Sequence, residues 1–335
     1  MWRDTVESRM ELVFEMMNEL LKEQYGLQVL KAEKSKVGAG SDTWFVTCAD
    51  GSYVVKYPAQ SEINHPEQEP ELCGFLLDRG IPVCRFLKNR EGNYLSTDAA
   101  GRQFHVQHFI EGKTYELNMA PGWLMKESAA MLEKIHSALR DYEGLPEEIG
   151  KAFFQYMTPQ NALSSYRNSL EVAERQGEKE LAEEIQYRIG LMQRFPKYEF
   201  DLDRLTCLPT HGDYFMSQLI CGEDRINAVI DWTTACVHPV IWEITRSFVY
   251  TAPSCAGGQL DLQEFSEYVA EYCRYAELNA YDREMLLPLF FYQIAVCDYY
   301  GQYFSSDADN RHIYLHQARF STKLLKWYEE NNCQK

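Results

Sequence analysis

Thr210-His211-Gly212-Asp213-Tyr214-Phe215-Met216-Ser217-Gln218 is followed by a short hairpin pattern and then by Val229-Ile230-Asp231-Trp232. Asp213 stands five residues before Gln218, and Asp231 ends the second strand of the hairpin. A carboxylate, an amide and a second carboxylate therefore flank one small β-unit. Moving a phosphoryl group between oxygens asks for such a set. One carboxylate orients the attacking hydroxyl, hard oxygens hold Mg²⁺ on a nucleotide, and a cation sits on the phosphates. Lys56, which closes the apolar run Tyr53-Val54-Val55-Lys56, is a cation at a strand end far upstream.

Working outward, the hairpin reads as Gln218–Cys221, a turn at Gly222–Asp224, and Arg225–Asp231. Around it the chain has helical texture: Pro121–Leu139, Gln160–Gln176, Lys179–Arg194, Pro239–Ala252, Leu262–Ala276, Asp282–Phe304 and Arg311–Glu329. The part before Gly112 is different. Thr5–Tyr25 carries Val6, Met10, Val13, Phe14, Met17, Leu20 and Leu21 at helical spacing and stops at Gly26. Leu27–Val37, the glycine stretch Gly38-Ala39-Gly40-Ser41, and a hairpin of Trp44–Cys48 with Tyr53–Lys56 across Asp50-Gly51 follow. A helix over Glu67–Arg79 comes next. Runs near Val83–Lys88, Asn93–Thr97 and Gln103–Ile110 then suggest a meander. These patterns predict an α+β chain of two lobes: a small sheet-plus-helix lobe over 1–110 and a larger, mainly helical lobe over 111–335, with the ligand expected in the cleft where lobes meet.

Composition narrows the classes. The 335 residues are 45% hydrophobic and 25% charged, which excludes a disordered chain, a collagen-like repeat and a coiled-coil rod. No apolar run reaches the roughly 18 residues of a membrane span, and Met1-Trp2-Arg3-Asp4 does not open a signal peptide. With 33 basic against 50 acidic residues the net charge is −17, and no basic run offsets it, so a nucleic-acid partner is not expected. Such a field favours a small cationic ligand, although acidity also serves solubility. None of the ten cysteines forms a C-x-x-C pair, and several lie in apolar segments. They read as reduced thiols of a cytoplasmic protein.

Order and spacing together give the chain its resemblance to the aminoglycoside phosphotransferase and choline kinase family, which shares the protein-kinase-like two-lobe fold. The resemblance runs from Gly38–Ser41 through Tyr53–Lys56, Glu69, Gln107-His108-Phe109-Ile110-Glu111-Gly112 and Leu132-Glu133-Lys134-Ile135-His136 to His211-Gly212-Asp213 and Ile230-Asp231-Trp232. It implies an ATP- or GTP-dependent, Mg²⁺-dependent kinase acting on a small hydroxyl-bearing acceptor of the aminoglycoside, choline or homoserine kind. By the same resemblance Asp213 orients or deprotonates the acceptor hydroxyl, Gln218 and Asp231 bind magnesium, and Lys56 contacts the α/β-phosphates. Glu69 would hold Lys56, with Glu71 a rival in helical phase. Gly38, Gly40 and Ser41 would cover the phosphates, backbone groups of Gln107, His108, Phe109 and Ile110 would read the base, and His211 would organise the loop.

Two residues depart from the family pattern. Gln218 replaces Asn, keeping the amide oxygen on a stem one methylene longer. Trp242-Glu243-Ile244-Thr245 stands where an acidic residue and Leu-Ala are usual, which makes Glu243 an anchor for the catalytic loop. Gln218 also keeps open a second reading, a catalytically weak nucleotide-binding scaffold such as the spore-coat kinase-like relatives. Other features have plain readings. Phe290, Phe291, Tyr292, Tyr299, Tyr300, Tyr303 and Phe304 read as core sooner than as an ammonium cage, with Asp298 beside them a candidate for a substrate amine. His312 and His316 lack a third metal ligand, and Cys207 and Cys221 lack a cationic neighbour.

Overall fold

Alternation in the strand Gly51–Tyr57 sets the first sheet: Tyr53, Val55 and Tyr57 face an apolar core, while Val54 and Lys56 point to the other side. The computed structural model describes residues 2–35, 41–58, 67–194, 199–306 and 311–332. Gly38 and Gly40 lie outside them; Ser41 immediately precedes the second strand. In chain order the elements begin with α1 (Trp2–Tyr25), β1 (Val29–Lys34), β2 (Asp42–Cys48), β3 (Gly51–Tyr57), α2 (Gln68–Leu77), β4 (Phe86–Leu87), β5 (Leu95–Thr97) and β6 (Gln103–His108). The helical part holds α3 (Gly122–Leu139), α4 (Lys151–Tyr156), α5 (Pro159–Gln176), α6 (Lys179–Arg194), β7 (Cys207–Thr210), β8 (Leu219–Cys221), β9 (Ile226–Val229), β10 (Cys236–Pro239), α7 (Val240–Thr251), α8 (Leu262–Tyr272), α9 (Ala280–Val296), α10 (Tyr299–Ser305) and α11 (Arg311–Asn332). Among the described residues no helix is long and apolar enough to cross a membrane. The architecture is the expected one, a small sheet-plus-helix lobe and a larger helical lobe.

The first sheet runs β1-β2-β3-β6-β4, all antiparallel, with β5 also on β6. The expected meander of the last three strands is therefore corrected. Phe104 and Val106 make β6 the fully buried strand of the three, so it takes the interior place, and the short β4 and β5 both pair with it. Met17 and Leu21 of α1 close the core over this sheet with Val46, Val55 and Val106.

Two compact units result: Met1–Lys113 with Leu219–Thr234, and Thr114–Gln218 with Ala235–Lys335. The β8–β9 hairpin joins the first unit through backbone pairing. Lys113 and Cys221 exchange N–H···O bonds of 3.0 and 2.8 Å, Val229 donates to Pro82 (2.8 Å), and Asn227 donates its amide to the Glu111 carbonyl (2.8 Å). Gly112 makes the approach possible. A Cβ there would stand 2.6 Å from Ile220 Cγ2 and 2.7 Å from the Cys221 carbonyl oxygen, at a φ of +148°.

In the second unit β7 and β10 pair antiparallel and bracket the stretch that contains the Asp213 loop. Pro209 and Pro239 break the usual strand signature and hide this two-stranded sheet from sequence reading. Asp282, fully buried in the first turn of α9, accepts from the Thr206 amide (2.9 Å) and hydroxyl (2.6 Å) and so fixes the entry to β7.

The single helix expected over Asp282–Phe304 is two helices. Arg188 and Tyr166, both fully buried, donate to the carbonyls of Ile294, Ala295 and Cys297 and end α9 there. Asp298 then caps α10 through the Gly301 amide (2.9 Å) and accepts from Ser165 and Ser169. In the fold it serves as a helix cap. Phe290, Phe291 and Tyr300 are fully buried core.

Replacing Gly112 by alanine forces a side chain into the Ile220–Cys221 backbone at a conformation that L-residues avoid. We expect Gly112→Ala to lose about 1–3 kcal/mol of stability, read as a lowered denaturation midpoint of the full chain. An unchanged midpoint would show that the hairpin does not need this close approach.

Candidate functional site

Lys56 is the penultimate residue of β3, on the sheet face opposite the apolar core. Its Nζ lies 2.5 Å from Asp231 Oδ1 and 4.0 Å from Glu69 Oε1. Glu69 sits in the first turn of α2 and is buried, whereas Glu71 is exposed. Its Oε1 also accepts the Trp232 backbone N–H at 3.1 Å. Burial pushes the Glu69 carboxyl up, but Lys56, His105 and the Trp232 amide outweigh it and bring it down to about 2. Glu69 is an anion that the fold keeps charged.

Asp231 follows β9 with φ of +65°, a left-handed conformation that a short polar side chain tolerates. Trp232 pins that turn, donating Nε1–H to the Val229 carbonyl (3.0 Å) from a buried position. Oδ1 of Asp231 takes Lys56 and the Thr233 hydroxyl, and the side chain is 42% exposed. In the same unit, Gln107 is buried on β6, while His108 and Phe109 are exposed and Ile110 is half-buried. The His108 amide donates to the Arg85 carbonyl and the Phe109 amide to Ser52.

The second unit places the other half of the constellation. β7 leads into His211-Gly212-Asp213, with Gly212 at φ +81°. Buried His211 takes the Asp213 backbone N–H on Nδ1 at 3.2 Å. Met216–Gln218 forms a 3₁₀ turn, and Gln218 Nε2 donates to Asp213 Oδ2 at 3.2 Å. The other oxygen, Oδ1, meets Nη2 of Arg246 at 2.5 Å. Arg246 is itself held over the rings of Phe215 (4.7 Å), Tyr250 (4.9 Å) and Trp242 (5.6 Å). Burial lowers its pKa, but Asp213 and the surrounding groups raise it further, so the guanidinium stays charged.

Arg246 is a site residue that the sequence motifs do not single out. Its one signal is spacing, three residues after Glu243 on α7, which turns both side chains toward one face. Glu243 is fully buried. Its Oε1 accepts the Tyr214 backbone N–H (3.3 Å), and its Oε2 accepts from His136 Nε2 (3.0 Å). His136 Nε2 also faces Thr210 Oγ1, and its Nδ1 meets the Tyr272 hydroxyl, both at 2.8 Å. Burial raises the Glu243 carboxyl, yet the histidine partners carry it down to about 2. His238 is fully buried, its Nε2 has no hydrogen-bond partner among the described residues, and desolvation pushes it down to about 4.

Each unit thus supplies hard-oxygen chemistry suited to magnesium. Asp231 offers a carboxylate. Gln218 spends its amide nitrogen on Asp213 and leaves its carbonyl oxygen as a hard-oxygen donor. Among the described residues no group of three or more His, Cys, Asp or Glu is arranged as a metal cage. One or two protein oxygens with nucleotide phosphates and water is the usual magnesium arrangement, and a carboxylate such as that of Asp231 suits it.

The buried groups fix an acid response. Below pH about 6.5 the unfolded chain protonates His238 while the fold, with its value near 4, does not, so stability falls from pH 6.5 toward 4. Glu243 and Glu69, lowered to about 2, add a further loss that starts below their unfolded value near 4.5. His238→Gln should flatten the first limb of a melting-temperature profile and leave the second. A profile with both limbs unchanged would contradict the assignment.

No curated protein sequence matches the chain significantly. Among solved structures it resembles spectinomycin phosphotransferase in complex with ADP and spectinomycin (TM-score 0.63, 16% identity, covering 94% of this chain and 98% of that one). Amicoumacin kinase with AMP-PNP and Ca²⁺ is similar (TM-score 0.63, 12% identity, 92% of each chain), as is a microcompartment-associated aminopropanol kinase (TM-score 0.61, 13% identity, 95% of this chain and 98% of that one). At these identities the likeness establishes the protein-kinase-like fold. The model of the phosphotransferase enzyme family matches residues 32–287, most of the chain. The chain belongs to the phosphotransferase enzyme family of kinase-type enzymes.

Proposed function

We propose that this protein is a cytoplasmic small-molecule kinase that moves the γ-phosphoryl of ATP or GTP to an acceptor hydroxyl. The observation that carries the reading is Lys56, a cation at a strand end held between the buried carboxylate of Glu69 and the turn carboxylate of Asp231. A lysine so placed has its charge fixed while Asp231 keeps a second oxygen for other partners.

In this reading Lys56 binds the α/β-phosphates. Asp231 and the Gln218 carbonyl oxygen are the groups that would hold Mg²⁺ on the nucleotide. When bound, Mg²⁺ neutralises charge on the phosphate oxygens. Asp213 accepts a hydrogen bond from the acceptor hydroxyl and orients its lone pair at the γ-phosphorus. The new bond forms between that oxygen and phosphorus, the bond to the β-bridging oxygen breaks, the hydroxyl proton passes to Asp213, and the nucleoside diphosphate leaves. Arg246 and Gln218 hold the two Asp213 oxygens, which limits rotation of the carboxylate and favours one attack geometry. For the acceptor, the net charge of −17 supports an amine-bearing alcohol or aminated sugar. The spectinomycin and aminopropanol named for two of the similar structures accord with that choice.

The test is product formation across a panel of amino alcohols and aminated sugars, with nucleotide diphosphate release and product mass as readouts. Asp213→Asn should lower turnover about 10²–10⁴-fold and leave nucleotide affinity within about twofold. A wild type that binds nucleotide yet phosphorylates no member of any hydroxyl class would overturn the kinase reading in favour of a nucleotide-binding scaffold.

A further inference from the structure

The Lys56–Glu69 pair has a third participant that the proposed chemistry does not use. His105 lies in the middle of β6, fully buried, and its register partner on β3 is Lys56 itself. Its ring packs edge-on against Phe86 at 4.9 Å. Its Nε2 faces Glu69 Oε2 at 3.4 Å, and among the described residues neither atom has another hydrogen-bond partner. Two orphaned polar atoms aimed at each other in a dry interior are costly unless they serve one another, because a buried unpaired group loses its full hydration.

The rest of the histidine fixes which atom donates. On the other side of the ring, the Gln107 amide nitrogen lies 3.4 Å from His105 Nδ1. An amide nitrogen only donates, so with Gln107 in this orientation Nδ1 is the acceptor and the Nε2–H points at Glu69. Glu69 then has every lone-pair direction that matters assigned: Oε2 to His105, and Oε1 to the Trp232 amide and the Lys56 ammonium. Without a donor on Oε2, rotation of the carboxylate would trade one buried oxygen for the other, and Lys56 and the Trp232 turn would lose their common anchor.

We propose that His105 is a positioning residue for the phosphate lysine. Gln107, His105 and Glu69 form a buried relay that ties the strand expected to read the base to the lysine and the aspartate turn expected to hold the phosphates. The inference rests on the reading of Lys56 as a nucleotide-phosphate ligand. His105 touches neither nucleotide nor acceptor in it. Its sequence signal is faint: two residues before Gln107 on one strand, it shares the sheet face of Lys56.

Calorimetric titration of the full chain with Mg·ATP, and separately with adenosine, tests it. His105→Phe keeps a planar ring without a donor and should weaken Mg·ATP about tenfold, the scale of one charge-assisted hydrogen bond, while adenosine affinity stays within about twofold. His105→Gln restores an N–H and should recover Mg·ATP affinity to within about threefold of wild type. In a Lys56→Ala background the tenfold effect of His105→Phe should vanish, since the lysine it positions is gone. Should the phenylalanine variant fail to fold, His105→Asn, too short to reach Glu69, takes its place with the same expectation.

Equal loss of Mg·ATP and adenosine binding would overturn the proposal, because that is the mark of general packing damage. Unchanged Mg·ATP affinity in the variant that cannot donate to Glu69, His105→Phe or the His105→Asn that replaces it, would overturn it too, as would a tenfold loss that persists in the Lys56→Ala background. A wild type that binds neither ligand contradicts instead the nucleotide reading on which the inference stands.

Discussion

A carboxylate without water must be fully partnered or it will take up a proton, and in each of its two units this protein sets a buried glutamate behind the turn that carries a site aspartate. Glu69 and Glu243 are both inaccessible, and both are brought down to about 2 by their partners against the upward push of burial. What each carboxylate holds is the same thing. Glu69 accepts the backbone N–H of Trp232, the residue after Asp231; Glu243 accepts the backbone N–H of Tyr214, the residue after Asp213. Each site aspartate is thus aimed by a buried anion one residue away, through the main chain. Side-chain flexibility does not enter that constraint.

The partners differ in keeping with the tasks. Glu69 is completed by a lysine and a histidine, so its charge also fixes the cation expected on the phosphates. Glu243 is completed by His136, whose other contacts reach Thr210 at the end of β7 and Tyr272 on α8. The second network therefore locks the strand that delivers the Asp213 loop to the helices around it. Removing Glu69 would take away the group that His105 Nε2 faces, and removing Glu243 would leave His136 Nε2 with Thr210 alone, which is why such networks are sensitive as wholes. Arg246 adds one more fixed charge on Asp213 from the same face of α7 as Glu243.

Much of this is legible in the amino-acid sequence alone. The change from strand texture to helical texture, the His-Gly-Asp stretch and the Ile-Asp-Trp stretch indicate the fold class, because they depend on local period and turn chemistry. Phase alone leaves Glu69 and Glu71 in competition; burial separates them, since only Glu69 turns inward. The split between α9 and α10 is invisible in the sequence because it is imposed from outside. Arg188 and Tyr166 on α6 and α5 take the carbonyls of the α9 end, and no breaker marks Cys297-Asp298. The order of β4, β5 and β6 departs from the expected meander for a similar reason. Pairing depends on which strand is buried on both faces, and that is a property of the assembled sheet. Arg246 and His105 do not stand out in the sequence because their significance is pairwise with residues distant along the chain.

Lys56 and Asp231, in the function proposed above, form a nucleotide–metal site. Thermal unfolding of the full chain with ATP or GTP, each with and without Mg²⁺, addresses it directly, with Asp231→Asn as the control. The account predicts a rise in melting temperature that requires both nucleotide and Mg²⁺ and that Asp231→Asn removes, since a ligand held only by the folded state stabilises it in proportion to its affinity. No shift with either nucleotide, or a Mg²⁺-dependent shift that survives in Asp231→Asn, would contradict it.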